Sequence, residues 1–309
     1  MSNDISIIIV NYNSHRDIES CIESVISCIS EINYEIIIVD NNSPDRGIES
    51  VISKFDIAKL YKLDSNLGFG TACNYGSEKA NGKYLVFLNP DTKFSDNCLK
   101  KMYNFMESTK DAITCSPSFV YPDGSLGYVF NYFPDIIWEF FDFIGKGYSL
   151  RINKVNSIIK SAIEFKKPLK VDWITAACLM IRKNVFQEVN GFDKDYFLYY
   201  EDVDLQKRIT NAEGTIYCLP YLKVVHVANT STKAGTDDSV YYLNMYRSKL
   251  IYYKKNSSFI KYNFVRYLHL IGFYLRLFFV KFRSRYSETK ELKQVQYKNI
   301  IKYYREGID

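Results

Sequence analysis

The sequence has no C-x-x-C pair, no low-complexity tract and only two tryptophans. Its seven cysteines lie at irregular spacings, which excludes a zinc knuckle and a thioredoxin motif. Collagen-like, Gln-rich and Pro-rich tracts are absent, and 47% hydrophobic with 24% charged residues is typical of a folded chain rather than a disordered one. We therefore expect a globular protein with reduced, mostly buried thiols, as in the cytosol.

Signals for secretion and for nucleic-acid binding are also missing from the sequence. The first residues carry no basic region, and their apolar run is too short for a signal peptide, so residues 6–13 are predicted to form a buried strand. No known nucleic-acid-binding motif occurs, so a nucleic-acid partner is not expected.

Charge is distributed unevenly along the 309 residues. Residues 1–240 hold 25 Lys and Arg against 31 Asp and Glu, a net charge of −6. Residues 241–309 hold 15 against 4, a net charge of +11. We therefore predict two parts, 1–240 and 241–309, which meet different partners.

Apolar runs alternate with amphipathic stretches through the first 90 residues, which predicts a parallel sheet with helices on both faces. The strands are predicted at 6–13, 34–43, 58–65 and 82–91, and the helices at 17–30, 47–55 and 70–80. Ligands bind at the carboxyl ends of strands in such sheets. Polar clusters follow three of these strands, at residues 11–13, 40–43 and 89–91.

The second half is less regular and leaves alternatives open. The aromatic stretch 128–143 suits a core or packing lid, or a hydrophobic surface facing an acceptor or lipid. Residues 171–182 form an apolar run, and 214–231 are predicted as a pair of strands with His226 near the end. Taken alone, His226 suits a structural histidine and Asp202 suits a helix N-cap.

Seven motifs follow one another in an order that resembles family 2 glycosyltransferases of GT-A fold, especially their rhamnosyltransferase-like branch. They are IIIVNYN, IIIVDNNS, NLGFGTACNYG, YLVFLNPD, VDWITAACLMIR, GFDKDYFLYYEDVDLQKR and VVHVANTS. The resemblance covers roughly residues 4–250. It implies an α/β fold with a GT-A (Rossmann-like), mostly parallel sheet flanked by helices. Residues 241–309, which are basic and rich in aromatics, are expected to form a C-terminal helical extension.

The resemblance implies an inverting transfer of a sugar from a nucleotide-diphospho-sugar to an acceptor hydroxyl. Glu201 and Asp202 match the family's E-D pair. Asp202 is expected to be the general base, with Glu201 binding the acceptor or supporting the base. Arg208, further along the same helix, is expected to pack or pair locally.

The same comparison implies a site for Mg²⁺ or Mn²⁺. Asn89-Pro90-Asp91 matches the D-x-D position, with Asp91 as a metal ligand and Asn89 approaching the sugar or metal through its amide. His226 matches the second metal ligand, which suits Mn²⁺ better than Mg²⁺. Asn229 stands where the family often has glycine, and asparagine also tolerates left-handed backbone angles.

Eight further residues match positions at which the family binds the donor, seven of them within the first 75 residues. They are Asn11, Tyr12, Asp40, Asn66, Gly68, Ala72, Asn74 and Trp173. Asp40 is expected to accept a hydrogen bond from a pyrimidine base, so dTDP or UDP is the expected nucleotide. Rhamnose follows from the branch, with galactofuranose, glucose, galactose and N-acetylhexosamines as alternatives.

The basic extension contains an apolar stretch at 264–285 that Arg266, His269 and Arg276 interrupt. We predict a helix lying at an anionic membrane surface. A helix docked on the catalytic part and a spanning helix are the alternatives. Surface attachment suits a polyprenyl-linked glycan acceptor at the cytoplasmic face of the inner membrane, in bacterial surface polysaccharide synthesis.

Two other functions compete with sugar transfer. A sugar-nucleotide nucleotidyltransferase would need a Gly-rich, Arg-containing loop after the first strand, and NYNSHRD does not provide it. A non-catalytic scaffold of the same fold would not need the acidic residues and histidine that this chain retains.

Overall fold

A computed structural model describes residues 3–127, 129–227, 238–282 and 287–307. The strands are β1 (Ile5–Asn11), β2 (Tyr34–Asp40), β3 (Ala58–Lys62), β4 (Tyr84–Leu88), β5 (Thr92–Lys93), β6 (Ala112–Val120), β7 (Phe130–Asn131), β8 (Leu169–Val171), β9 (Trp173–Ile174), β10 (Cys178–Arg182) and β11 (Thr215–His226). The helices are α1 (His15–Cys28), α2 (Ile48–Ile52), α3 (Phe69–Lys79), α4 (Cys98–Ser108), α5 (Ile136–Phe143), α6 (Gly147–Glu164), α7 (Lys183–Glu188), α8 (Glu201–Asn211), α9 (Asp238–Asn256), α10 (Phe259–Phe282) and α11 (Ser287–Glu306).

A nine-stranded mixed sheet forms the centre of the fold. Its strands follow the order β3-β2-β1-β4-β10-β6-β11-β5, and β8 pairs with β11 outside this path. Strands β3, β2, β1 and β4 are parallel, as are β6 and β11, whereas β10 runs antiparallel to both of its neighbours. The predicted α/β architecture with a mostly parallel sheet is therefore confirmed, and β7 and β9 form a separate two-stranded sheet.

Uninterrupted apolar strands explain why the sheet lies at the core. All residues of β1 and β4 are buried, as expected for strands covered by helices on both faces. Helix α1 buries an apolar face, made of Ile18, Cys21, Ile22 and Val25, in the main hydrophobic core. All seven cysteines are free thiols and six of them are buried, as the irregular spacing predicted.

Two predicted segments differ from the structure. The apolar run 171–182 begins at the last residue of β8 and contains the short strands β9 and β10, because the chain changes sheets twice there. Residues 215–226 form one long strand instead of a pair. Its register against β6 shifts between Leu219 and Lys223, where Pro220 has no N–H to donate and the strand bends instead of ending.

Helices α9, α10 and α11 enclose a second apolar cluster, which includes Tyr253, Val265, Phe273 and Tyr304. Helix α10 therefore docks on other helices along one side. Its other side exposes large apolar residues: Phe259, Ile260, Phe264, Tyr267, Ile271, Tyr274, Leu275, Phe278 and Phe279. Within the described ranges, none of the helices combines the length and the hydropathy needed to span a bilayer. The division at residue 240 stays a prediction.

Candidate active site

The first two polar clusters meet at the carboxyl ends of β1 and β2. Asn11 is fully buried, and its Nδ2 donates to Oδ1 of Asp40 at 2.7 Å and to Oγ of Ser43 at 2.9 Å. Asn11 Oδ1 accepts from the backbone N–H of Ser14 at 3.1 Å. The amide of Asn11 thus fixes the carboxylate of Asp40, while Tyr12 follows directly and lines the adjacent cavity.

Asn41, which was not among the predicted site residues, shapes the neighbouring glycine loop. Its Nδ2 donates to Oδ1 of Asn66 at 2.9 Å and to the carbonyl of Gly68 at 3.2 Å. Its Oδ1 accepts from the N–H of Leu67 at 2.9 Å, and Asn66 Oδ1 accepts from Gly68 at 3.0 Å. Asn41 belongs to the polar cluster at residues 40–43, and its place in that cluster is the sequence feature that could have identified it as a site residue.

Gly68 brings two distant loops together. Its φ is +85°, and a Cβ built there would lie 2.2 Å from the carbonyl oxygen of Phe197. The N–H of Phe69 donates to that same oxygen at 3.2 Å. Gly68 also lines the cavity, so its predicted role in binding the donor stays a prediction, and the structure adds that this glycine admits the loop before α8.

Gly68→Ala is expected to lower the free energy of unfolding by more than about 2 kcal/mol, because it adds a backbone clash to the strain of a positive φ. Gly124→Ala is the matched control, since Gly124 has φ +81° with nothing within 4 Å of its Cβ. The control should lose only about 1 kcal/mol. Equal losses in urea titrations of the two variants would show that the contact with Phe197 is unimportant.

Two predicted donor residues lie on α3 outside the cavity lining. Ala72 is fully buried in the hydrophobic core. The side chain of Asn74 exchanges two hydrogen bonds with the backbone of Phe192, donating at 2.7 Å and accepting at 2.9 Å. Asn74 therefore fastens the segment before α8 to α3.

The third polar cluster meets the end of β11. Oδ1 of Asp91 lies 3.1 Å from Nε2 of His226, and Nδ2 of Asn89 lies 3.5 Å from the same nitrogen. Asp91 is 3% exposed. Strand β5, next to β11, brings the two distant segments together, since His226 pairs with Thr92. Asn229 lies outside the described residues.

The pair formed by Asp91 and His226 fits a divalent cation. Two ligands that each bind one cation at about 2.1 Å and about 90° to each other stand about 3 Å apart, as these two atoms do. A carboxylate oxygen with an imidazole nitrogen suits Mn²⁺. In the described part of the chain no group of three or more His, Cys, Asp and Glu forms a complete ligand set, so the remaining ligands would come from the substrate or water.

Asp202 lies in the first turn of α8 and accepts two backbone hydrogen bonds. Its Oδ1 accepts from Val203 at 2.8 Å, and its Oδ2 accepts from Ala176 at 3.2 Å. Gln206 holds α8 against β9, because its side chain pairs with both the N–H and the carbonyl of Ile174. The N-cap of α8 is Tyr200, so Asp202 is not the cap.

The two residues before the carboxylates have unusual backbone angles. Tyr199 and Tyr200 have φ of +69° and +66°, a conformation that costs about 1–3 kcal/mol for each non-glycine residue. Glu201 is 5% exposed, and its Oε2 is buried without a hydrogen-bond partner among the described residues. Strain together with a buried, unsatisfied carboxyl is typical of a functional site.

Burial raises the pKa of both carboxyl groups. For Glu201 the neighbouring charge of Asp202 adds to the effect of burial. For Asp202 the backbone N–H groups of Ala176 and Val203 partly offset the effect of burial on the pKa. Asp202 therefore ionises more readily than Glu201, which suits a base beside a neutral hydrogen-bond donor.

The final helices brace the segment that leads into α8. Ser248 on α9 donates to the carbonyl of Leu198 at 2.8 Å, and Asn256 donates to Oδ1 of Asp204 at 2.8 Å. Asp204 also pairs with Arg208 at 2.8 Å, the local pairing expected for that arginine.

One cavity of about 1110 Å³ joins many of the predicted residues. Those that line it are Tyr12, Asn66, Gly68, Asn89, Trp173, Glu201 and Asp202. The indole N–H of Trp173 donates to the carbonyl of Tyr132 at 3.0 Å, which fixes its ring in the wall. Four other predicted residues, Asn11, Asp40, Asp91 and His226, are not among the residues that line this cavity. The contact between the His226 ring and Asn89, 3.5 Å long, joins the pair formed by Asp91 and His226 to a residue that does line it.

A family model described as glycosyl transferase family 2 matches residues 6–189, more than half of the chain. The chain belongs to glycosyl transferase family 2. A second model, described as the N-terminal domain of galactosyltransferase, matches residues 157–230 of this family 2 chain.

This family 2 glycosyltransferase is similar to known rhamnosyltransferases. It is 24% identical over 264 residues to N-acetylglucosaminyl-diphospho-decaprenol L-rhamnosyltransferase of Mycobacterium tuberculosis, covering 82% of this chain and 84% of that one. It is 30% identical over 236 residues to rhamnosyltransferase WbbL of Escherichia coli, covering 74% and 85%.

The family 2 chain also resembles a crystal structure of GalNAc-T7 with UDP, GalNAc and Mn²⁺. The TM-score is 0.61 at 15% identity, and the alignment covers 99% of this chain and 56% of the other. This likeness establishes the GT-A-like fold.

Proposed function

We propose that the protein is an inverting glycosyltransferase of cell-surface glycan synthesis, which moves rhamnose or another hexose from a dTDP- or UDP-sugar to a hydroxyl of a lipid-linked acceptor. The observation that carries the proposal is the single cavity that Asp202 shares with the polar ends of β1 and β4. Similarity to two rhamnosyltransferases supports rhamnose, and the decaprenol enzyme among them supports a diphospho-lipid acceptor.

Each group of residues has a distinct task in this reaction. Asp91 and His226 would hold a divalent cation, which neutralises the charge growing on the leaving diphosphate. Asn89 orients the donor sugar beside them, and Asp40, fixed by Asn11, accepts a hydrogen bond from the base.

Asp202 accepts the proton of the acceptor hydroxyl as that oxygen attacks the anomeric carbon. The bond to the nucleoside diphosphate breaks from the opposite face, so the configuration inverts. Glu201, kept protonated by burial and by the charge of Asp202, donates a hydrogen bond to the acceptor.

A thermal-shift panel of dTDP- and UDP-sugars with Mn²⁺ or Mg²⁺ tests the proposal. One donor with metal should raise the melting temperature, because a ligand that binds only the folded state stabilises it. That donor should then release its nucleoside diphosphate when acceptor is added. Binding without transfer would support the scaffold alternative, and pyrophosphate release from a nucleoside triphosphate would support the nucleotidyltransferase, which family 2 membership already disfavours.

We also propose that the protein binds the cytoplasmic face of the inner membrane through α5 and α10. Both helices expose apolar side chains, including Phe140 on α5 and Ile271 on α10. Helix α10 is part of the basic extension, whose net charge of +11 complements anionic lipid, and α5 packs against α10.

Replacing Ile271 and Leu275 together by serine should weaken flotation with phosphatidylglycerol vesicles by at least about tenfold, because both side chains would leave the lipid interface. Ile26→Ser, an exposed isoleucine of α1, is the control and should float as the wild type does. Equal flotation of all three proteins would contradict membrane binding through α10.

A further inference from the structure

The cavity continues from Asp202 to a second region walled by α5, α6, α9 and α10. Three cationic residues line this region: Arg151, Lys249 and Arg276. The region is not needed for the nucleotide, whose predicted contacts lie at the strand ends. It therefore offers space for another part of a substrate.

Two of these cations are already paired. One guanidinium nitrogen of Arg151 lies 2.6 Å from each carboxylate oxygen of Asp142. Nζ of Lys249 lies 2.9 Å from Oε2 of Glu139, and both side chains are buried. These pairs fasten α5 to α6 and α9, and their charges cancel.

His269 adds no charge to this balance at neutral pH. Its Nε2 lies 2.8 Å from Oε2 of Glu139. Burial lowers the pKa of His269, and the charge of Lys249 adds to this lowering, so the two outweigh the opposing effect of Glu139. The imidazole therefore serves as a neutral hydrogen-bond partner between α10 and α5.

Arg276 is the cation that remains. Within the described ranges no carboxylate lies within 4.0 Å of its guanidinium, which instead stands 5.1 Å from the ring of Phe273. A Cβ built at Gly272 would lie 3.2 Å from the ring of Phe143 and 3.9 Å from Nη1 of Arg276. The guanidinium therefore sits where α5 and α10 cross, at a point where Gly272 leaves room.

Apolar side chains surround this point on the outer surface. Leu275 precedes Arg276 and Phe279 follows it by three residues, with 45% and 62% of their surfaces exposed. Ile144, directly after α5, is 46% exposed. The cavity that Asp202 lines is thus also lined by Arg276, and exposed apolar side chains lie next to Arg276 in the chain and at the end of α5.

We propose that Arg276 binds the diphosphate of a polyprenyl-linked acceptor, between a sugar hydroxyl at Asp202 and a hydrocarbon chain on α5 and α10. Such a molecule carries a hydroxyl, a diphosphate and a hydrocarbon chain, and the protein offers a carboxylate and a cation in one cavity with exposed apolar side chains beside the cation. This inference rests on the proposed function, since it names the acceptor of the same site. An arginine guanidinium binds phosphate oxygens with two parallel hydrogen bonds.

Farnesyl diphosphate, which carries a diphosphate and an isoprenoid chain but no sugar, is the probe. Binding to the full chain is measured by calorimetry in detergent, with UDP or dTDP and Mn²⁺ saturating the nucleotide site. Arg276→Gln should weaken this binding by at least about tenfold, as expected for the loss of a charge-assisted hydrogen bond. Lys302→Gln, an exposed cation of α11, removes the same charge and should have no effect.

Further arms distinguish the alternatives. Farnesol should bind both proteins equally, and Arg276→Gln should float with phosphatidylglycerol vesicles as the wild type does. Three results would overturn the assignment. They are displacement of farnesyl diphosphate by UDP or dTDP, equal affinity of Arg276→Gln and the wild type for farnesyl diphosphate, and an Arg276→Gln variant that loses only its flotation. Farnesyl diphosphate binding through Arg276 without nucleotide-sugar binding would refute the proposed transferase and leave the diphosphate site standing.

Discussion

Asp202→Asn is expected to lower the rate of sugar transfer by about 10²–10⁴-fold, because an amide cannot accept the proton of the acceptor hydroxyl. Its remaining oxygen still accepts one of the two backbone hydrogen bonds that Asp202 receives from Val203 and Ala176. The variant should therefore fold, and a nucleotide-sugar should still raise its melting temperature. The measurement is initial-rate kinetics with saturating donor.

Asp195→Asn is the control, since Asp195 lies in the same segment but is exposed and pairs with Lys255. It should retain wild-type turnover. Turnover of Asp202→Asn close to wild type would remove Asp202 from the role of base.

The pH profile of the wild type gives a second measurement of the same role. Burial raises the pKa of Asp202, and the base acts only when ionised. kcat/KM should therefore rise with pH through a midpoint above about 3.9, the ordinary pKa of aspartate. A midpoint at the ordinary value would contradict a buried base.

Asp91→Asn should produce the second large effect, a loss of at least about 10²-fold in metal-dependent transfer, because a carboxylate ligand is replaced by a neutral amide. The Mn²⁺ concentration at half-maximal activity should rise in the same variant. Titration of Mn²⁺ in the thermal-shift assay, with the preferred nucleotide-sugar present, measures this affinity without turnover.

Asp96→Asn is the matched control, because Asp96 is an exposed carboxylate five residues away that pairs with Lys101. It should bind Mn²⁺ as the wild type does. Equal metal affinity of Asp91→Asn and Asp96→Asn would show that the pair formed by Asp91 and His226 is a structural contact.

The parts of the fold that sequence predicted are those with a strong local signal. Strands β1, β2 and β4 are continuous apolar runs, and their polar ends meet because parallel strands share one edge of a sheet. The long strand β11 was predicted as two, whereas the structure carries one strand through Pro220 with a shift in register against β6. Helix α2 was predicted longer than its five residues.

The order of the motifs predicted the candidate site residues, but not the contacts that hold them in place. Nothing local in the sequence indicates that Gly68 faces the carbonyl of Phe197 or that Tyr199 and Tyr200 adopt positive φ, because tertiary contacts impose both. The ion pair of Glu139 with Lys249 and its hydrogen bond with His269 join residues 110 and 130 positions apart, which no periodicity records.

The bracing of the catalytic segment by α9 has a consequence for how activity arises during folding. Ser248 and Asn256 hold residues that come about 50 positions earlier in the chain. Loops closed over such distances form late, since their entropy cost precedes the contacts that repay it. A nascent chain that has completed its sheet thus still lacks the hydrogen bonds of α9 to Leu198 and Asp204. If Asp202 is the base, as proposed, we expect transfer activity to appear only after α9 has docked.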